Sequence, residues 1–113
     1  MKIYPGVDLI EIERFKKAYE KYGEKFLKKI FFDDEILLSE KKLLKMCISF
    51  SFKESIWKSL PEKIQEKLIF KDIKIGWNDN KPYLMKKIKN YKVLLSYSIS
   101  DKYVLTVALL IER

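Results

Sequence analysis

The sequence predicts an α+β fold: one domain over residues 1–113, with an antiparallel sheet packed on a long central helix. Three observations carry that reading. Apolar residues recur at helical steps through the first half of the chain, from about Glu11 to Leu60. From Leu68 onward the period shortens to that of strands, punctuated by Asn78-Asp79-Asn80 and Asp101-Lys102. A strand-like opening segment, interrupted by Pro5-Gly6, precedes all of the helices.

In Met1 to about Ile10, the apolar residues Ile3, Tyr4, Val7, Leu9 and Ile10 surround a proline and a glycine that break any helix. A short strand passing a kink is expected, with Asp8 just beyond the glycine. Gly6 permits close backbone approach or an unusual φ, which suits a place where a ligand comes near the main chain. A plain turn with a solvated Asp8 is the competing reading.

Glu11 to Tyr22 places Ile12, Phe15, Ala18, Tyr19 and Tyr22 on one side of a helix that Gly23 can close. Glu24 to Ile30 forms a second short helix. Phe31-Phe32-Asp33-Asp34 is a junction, with Asp33 or Asp34 as N-cap of a helix through Ile36, Leu37 and Leu38. From about Lys41 the long helix runs through Leu44, Cys47 and Ile48 to Leu60. Ile48, Ser51, Phe52, Ser55, Ile56 and Ser59 form one buried stripe on it, and the helix is expected to be amphipathic. Glu54 and Lys58 sit one turn apart on the flank of that stripe. Alone, such a pair is a surface contact worth about 0.2–0.5 kcal/mol. A second carboxylate, Asp8, gives it more weight.

Pro61-Glu62 ends the long helix or starts a short turn with Ile64 and Leu68. Phe70, Ile73 and Ile75 suggest a strand to Trp77, and Lys81 to Met85 returns as its partner, with Pro82 at an edge or a strand start. Val93 to Ser100 is the third strand of this series. Tyr103 to Ile111 is continuously apolar, so it should be central or covered on both faces. There is no internal repeat, linker or low-complexity segment.

Composition narrows the chemistry. Hydrophobic residues make up 48% of the chain, which fits a folded core and not a disordered segment. No apolar run reaches the ~18 residues that a membrane span needs, and no signal-peptide core is present, so a cytoplasmic protein is expected. The lone Cys47 excludes an intrachain disulfide and reads as a buried structural thiol. The chain has no histidine, which excludes a Ser-His-Asp triad, a Cys-His pair and a zinc site. A metal here would be a hard cation on carboxylates, with Mg²⁺ first in line. The net charge of +8 favours acidic partners, although part of the lysine excess is equally explained by compositional bias.

Five pieces stand in a recognisable order: Gly6-Val7-Asp8 with Arg14 downstream, Phe32 to Glu35, Phe50 to Lys58, Asn80-Lys81-Pro82, and Tyr97-Ser98-Ile99-Ser100 before a hydrophobic last strand. Together they resemble the small holo-acyl-carrier-protein synthase group of the 4'-phosphopantetheinyl transferases, over essentially the whole chain. The resemblance implies transfer of the phosphopantetheine arm of coenzyme A to a serine of an acyl carrier protein, releasing adenosine 3',5'-bisphosphate. It implies Asp8 and Glu54 as Mg²⁺ ligands, and Lys58 on the coenzyme phosphates with Lys53 as a second candidate. It also implies a coenzyme site lined by Lys81, Pro82, Ser98 and Ser100, and a carrier-protein surface at Arg14 extended by Lys17 and Lys21. Small members of the group commonly form trimers with the active site between subunits.

The chain departs from the group's pattern at several positions. Leu60-Pro61-Glu62 stands where a glycine-containing loop usually follows the helix, Ser49 replaces an arginine, and Asp101 replaces a histidine. Phe52 and Trp57 partly replace small residues. An alternative reading is therefore a non-catalytic relative that binds acyl carrier protein or coenzyme A. A basic nucleic-acid-binding domain, prompted by the charge and by Trp77, Tyr83 and Tyr91, is a further competitor without a motif of its own.

Overall fold

The computed structural model describes residues 1–113, in the order β1 (Ile3–Glu11), α1 (Ile12–Tyr22), α2 (Glu24–Ile30), α3 (Asp33–Leu38), α4 (Leu43–Ser59) and α5 (Glu62–Gln65). A 3₁₀ turn (Phe70–Asp72) then leads to β2 (Ile75–Asn78), β3 (Lys81–Leu84), β4 (Tyr91–Ile99) and β5 (Tyr103–Glu112). The fold is the expected α+β layout, but its strands divide into two sheets. β1, β5 and β4 form an antiparallel sheet with β5 in the middle, while β2 and β3 pair only with each other.

β5 is central, as its apolar run requires, but it is not covered on both faces. Val104, Thr106, Ala108 and Leu110 are buried against the helices, whereas Tyr103 and Leu105 on the other face are exposed. The strand alternates in burial although it does not alternate in polarity. In β1 likewise, Val7 and Leu9 stand exposed.

α4 is the core element, and the single-stripe expectation understates it. Met46, Cys47, Ile48, Phe52 and Ile56 are buried, and so are Lys45, Ser49, Ser51, Lys53, Ser55 and Ser59. Along this helix only Leu44 and Lys58 are exposed. A helix enclosed on nearly every side buries polar residues as well as apolar ones, and each must find a partner. Trp77 Nε1 donates to Ser49 Oγ at 2.8 Å, and Lys45 Nζ donates to the Asp79 carbonyl at 2.7 Å, so the β2–β3 hairpin is fastened to α4.

Three local expectations are corrected. The strand begins at Ile75, not at Phe70, because Phe70 and Ile73 are three residues apart, a spacing that a 3₁₀ turn satisfies and a strand does not. Neither Asp33 nor Asp34 caps α3. Phe32 is the cap residue, and its N–H donates to Glu35 Oε1 at 3.0 Å, while both aspartates lie in the first turn where the helix dipole favours them. Gly6 serves packing, not ligand approach: a Cβ there would lie 1.9 Å from the Ser55 carbonyl oxygen and 2.9 Å from Ser59 Cβ. Gly6 and these two serines let β1 lie directly on α4.

Candidate active site

That close approach determines what stands next to what. Two residues beyond Gly6, Asp8 on β1 reaches the flank of α4. Lys58 Nζ donates to Asp8 Oδ1 at 2.9 Å and to the Val7 carbonyl at 3.3 Å. Ser51 Oγ donates to the other carboxylate oxygen, Oδ2, at 2.8 Å. Behind Ser51 lies Thr106 on β5, the register partner of Asp8, with the two hydroxyl oxygens 2.8 Å apart.

Glu54 lies one turn before Lys58, and the two carboxylates share a cleft of about 480 Å³. Asp8, Glu11, Arg14 and Glu54 supply its polar wall, and Phe15, Phe26 and Phe50 are prominent in its apolar one. Partial burial pushes the Glu54 carboxyl above its ordinary range; the charge of Asp8 adds to this, and Lys58 opposes it. Two carboxylates near enough to repel, with one ammonium bonded to only one of them, leave negative charge that a cation would neutralise. The site gathers no cluster of three His, Cys, Asp or Glu groups. This donor set fits Mg²⁺, which takes one or two carboxylates and completes its shell with phosphate oxygens and water.

The remaining predicted residues divide. Lys53 does not join the cleft, which corrects its reading as a phosphate ligand. Its side chain is fully buried, where Nζ donates to Glu35 Oε1 at 2.9 Å and to the Lys71 carbonyl at 3.0 Å. Burial holds its ammonium below the usual lysine range, with Glu35 opposing. Lys81 and Pro82 line a separate groove between β3 and β4. Ser98 is exposed on the open face of the sheet, paired with Leu105. Ser100 accepts N–H bonds from Lys102 at 3.3 Å and Tyr103 at 3.0 Å, so its hydroxyl closes the β4–β5 turn. Arg14, Lys17 and Lys21 are exposed on α1, and Arg14 borders the cleft.

Cys47 is buried, with its thiol pushed up to about 12 mainly by desolvation, which agrees with an inert packing role. Ser49, in the place of an arginine, is occupied by the Trp77 indole. Pro61 opens the short helix α5, and Gln65 Nε2 donates to the Trp57 carbonyl at 2.7 Å, so the chain leaves α4 through a fixed turn. The sequence reading did not single out Thr106 or the aromatic wall, and it read Ser51 only as packing. A serine amid a buried stripe was the available signal.

The family model for the 4'-phosphopantetheinyl transferase superfamily matches residues 4–108. A holo-[acyl-carrier-protein] synthase of Chlamydia trachomatis serovar L2 is 34% identical over 113 residues, covering 92% of this chain and 95% of that protein. The corresponding synthase of Thermodesulfovibrio yellowstonii is 37% identical over 102 residues, covering 87% and 88%. Among solved structures, a holo-(acyl-carrier-protein) synthase from Bacillus anthracis in complex with CoA (3',5'-ADP) superposes with a TM-score of 0.76 at 25% identity, covering 95% of this chain and 94% of that one.

Proposed function

This chain belongs to the 4'-phosphopantetheinyl transferase superfamily, and on that premise we propose that it is a holo-acyl-carrier-protein synthase. It transfers the 4'-phosphopantetheine of coenzyme A to a serine of an apo acyl carrier protein and releases adenosine 3',5'-bisphosphate. One observation carries the residue assignment. Beyond the exposed Leu44 at its start, α4 is exposed only at Lys58, which bonds Asp8, and the half-buried Glu54 one turn before it shares an aromatic-walled cleft with that carboxylate.

Asp8 and Glu54 would hold Mg²⁺, which when bound would offset the charge of the pyrophosphate as it is cleaved. Lys58, half-exposed and bonded to Asp8 at 2.9 Å, turns from that carboxylate to the coenzyme phosphates and steadies the leaving group. Catalysis is then largely positioning and electrostatics. With no histidine in the chain, the serine proton passes to a carboxylate or to water bound at the site. Arg14, Lys17 and Lys21, an exposed stripe of α1 beginning at the cleft, meet the acidic carrier protein.

The functional unit is a homotrimer working in the cytoplasm. Two features support the trimer. The outer face of the three-stranded sheet carries an exposed apolar patch in which Leu9 pairs with Leu105, and Leu109 with Leu94, with Leu9 61% and Leu94 43% exposed. Monomers rarely leave such a face uncovered. The predicted site residues also fall into two groups within one chain, the metal ligand Glu54 and the coenzyme residue Lys58 on one side and the coenzyme residues Lys81 and Pro82 on the other. A neighbouring copy would bring them together.

The test is intact-mass analysis of an apo acyl carrier protein incubated with this protein, coenzyme A and Mg²⁺. The carrier should gain one phosphopantetheine, and Asp8→Asn or Glu54→Gln should abolish the gain. A folded sample that modifies no carrier protein but binds coenzyme A tightly would establish a non-catalytic relative instead. Sedimentation of the wild-type chain should give three copies; a monomer at working concentration would remove the shared-site argument.

A further inference from the structure

Asp8 is held from behind by two side chains to which no role has been assigned. Ser51 Oγ lies 2.8 Å from Asp8 Oδ2 and 2.8 Å from Thr106 Oγ1, and Thr106 Oγ1 lies 3.0 Å from the Ser51 carbonyl. Both residues are completely buried. Counting protons assigns the directions, because each hydroxyl has one to give. The Thr106 hydroxyl also donates to the Ser51 carbonyl in the interior of α4, whose second lone pair is free beside the helical ladder. An ionised Asp8 only accepts. Both short contacts then contain a proton in a single arrangement: Ser51 donates to Asp8, and Thr106 shares its proton between Ser51 Oγ and the Ser51 carbonyl. The opposite direction would require a proton on Asp8, against the ammonium of Lys58 on its other oxygen.

We propose that Ser51 and Thr106 are positioning residues for Asp8, a buried directed hydrogen-bond chain that fixes Oδ2 and leaves Oδ1 as the oxygen that exchanges Lys58 for a divalent cation. This inference rests on the reading of Asp8 as a metal ligand. Packing alone does not call for the hydroxyls. An alanine and a valine would fill nearly the same space, and replacing both members of a buried polar pair by apolar groups is close to neutral for stability. What the hydroxyls add is direction: a carboxylate on a strand keeps χ freedom that a charge-assisted bond to one oxygen removes. Ligand-orienting contacts of this kind are worth about 10–100-fold in metal affinity when lost.

The experiment measures binding of Mn²⁺, a spectroscopically visible hard divalent ion, by electron paramagnetic resonance of the free ion in the presence of coenzyme A. Wild type, Asp8→Asn, Ser51→Ala, Thr106→Val and Thr106→Ser are compared, each with its thermal midpoint. Ser51→Ala should weaken Mn²⁺ about 10-fold, and Thr106→Val by a smaller factor. Thr106→Ser, which keeps the donor, should bind as wild type does. In turnover, Ser51→Ala should raise the Mg²⁺ concentration for half activity while leaving the coenzyme KM at saturating Mg²⁺ unchanged. If Asp8→Asn loses Mn²⁺ but Ser51→Ala and Thr106→Val bind it normally, the inference is wrong and the metal reading stands. If Mn²⁺ binding does not depend on Asp8 at all, the metal reading fails and takes the inference with it.

Discussion

Two lysine–carboxylate pairs sit on the same helix, five residues apart, and they have opposite characters. Lys53 meets Glu35 at 2.9 Å with the two side chains 0% and 1% exposed; Lys58 meets Asp8 at the same 2.9 Å with the side chains 51% and 12% exposed. Distance therefore does not distinguish them. Their surroundings do. Glu35 also accepts the N–H of Phe32 at 3.0 Å and of Ile75 at 2.8 Å, so the inner pair joins α3, α4 and β2 with every partner satisfied. The outer pair keeps a half-exposed lysine beside a second carboxylate, Glu54, to which nothing is paired. An ion pair whose groups have all their partners is architecture, whereas one with charge left over beside a cleft is prepared for a ligand.

The largest test of that contrast is Lys53→Met. It leaves Glu35 charged and buried without its counter-ion, and should cost about 3–5 kcal/mol by urea denaturation. Replacing Glu35 as well does not restore the loss, because the Phe32 and Ile75 N–H groups would then be unpaired. Lys58→Met should cost less than about 1 kcal/mol of stability, as exposed pairs do, yet lower transferase activity about 100-fold. The contrast breaks if the two substitutions destabilise equally, or if Lys58→Met leaves turnover intact.

The contrast was half legible in the sequence. The spacing of Glu54 and Lys58, and the placement of Asp8 after a glycine, already pointed to the outer pair. The order of elements also followed from periodicity. Lys53 was misread because its neighbours in sequence say nothing about its environment: its partner Glu35 lies 18 residues upstream and meets it only through the packing of α3 on α4. The enclosed surface of α4 was hidden for a related reason. A helix buried on all sides by several elements shows no clean apolar stripe, so nothing in the sequence marks Lys45, Ser49 and Lys53, outside the predicted stripe, as buried. Phe70 failed because a three-residue spacing was read with a two-residue period.

The smallest expected effect concerns Glu54 alone and gives the contrast its sign. Its carboxyl is held above the ordinary value of 4.5 by partial burial and by Asp8, so the folded protein takes up this proton at higher pH than the unfolded chain does. The linkage is a penalty. It is absent below pH 4.5, grows as the pH rises through the raised folded value, and is complete above it. In a chelator, Glu54→Gln should therefore melt about 2 °C above wild type at neutral pH, with the gap closing at pH 4. Mg²⁺ with coenzyme A should reverse the order at neutral pH, because only the wild type gains binding free energy from the ion. If Glu54→Gln instead lowers the neutral-pH melting point in chelator, Glu54 supports the fold as Glu35 does, and the outer carboxylates are no longer a site held ready at the expense of stability.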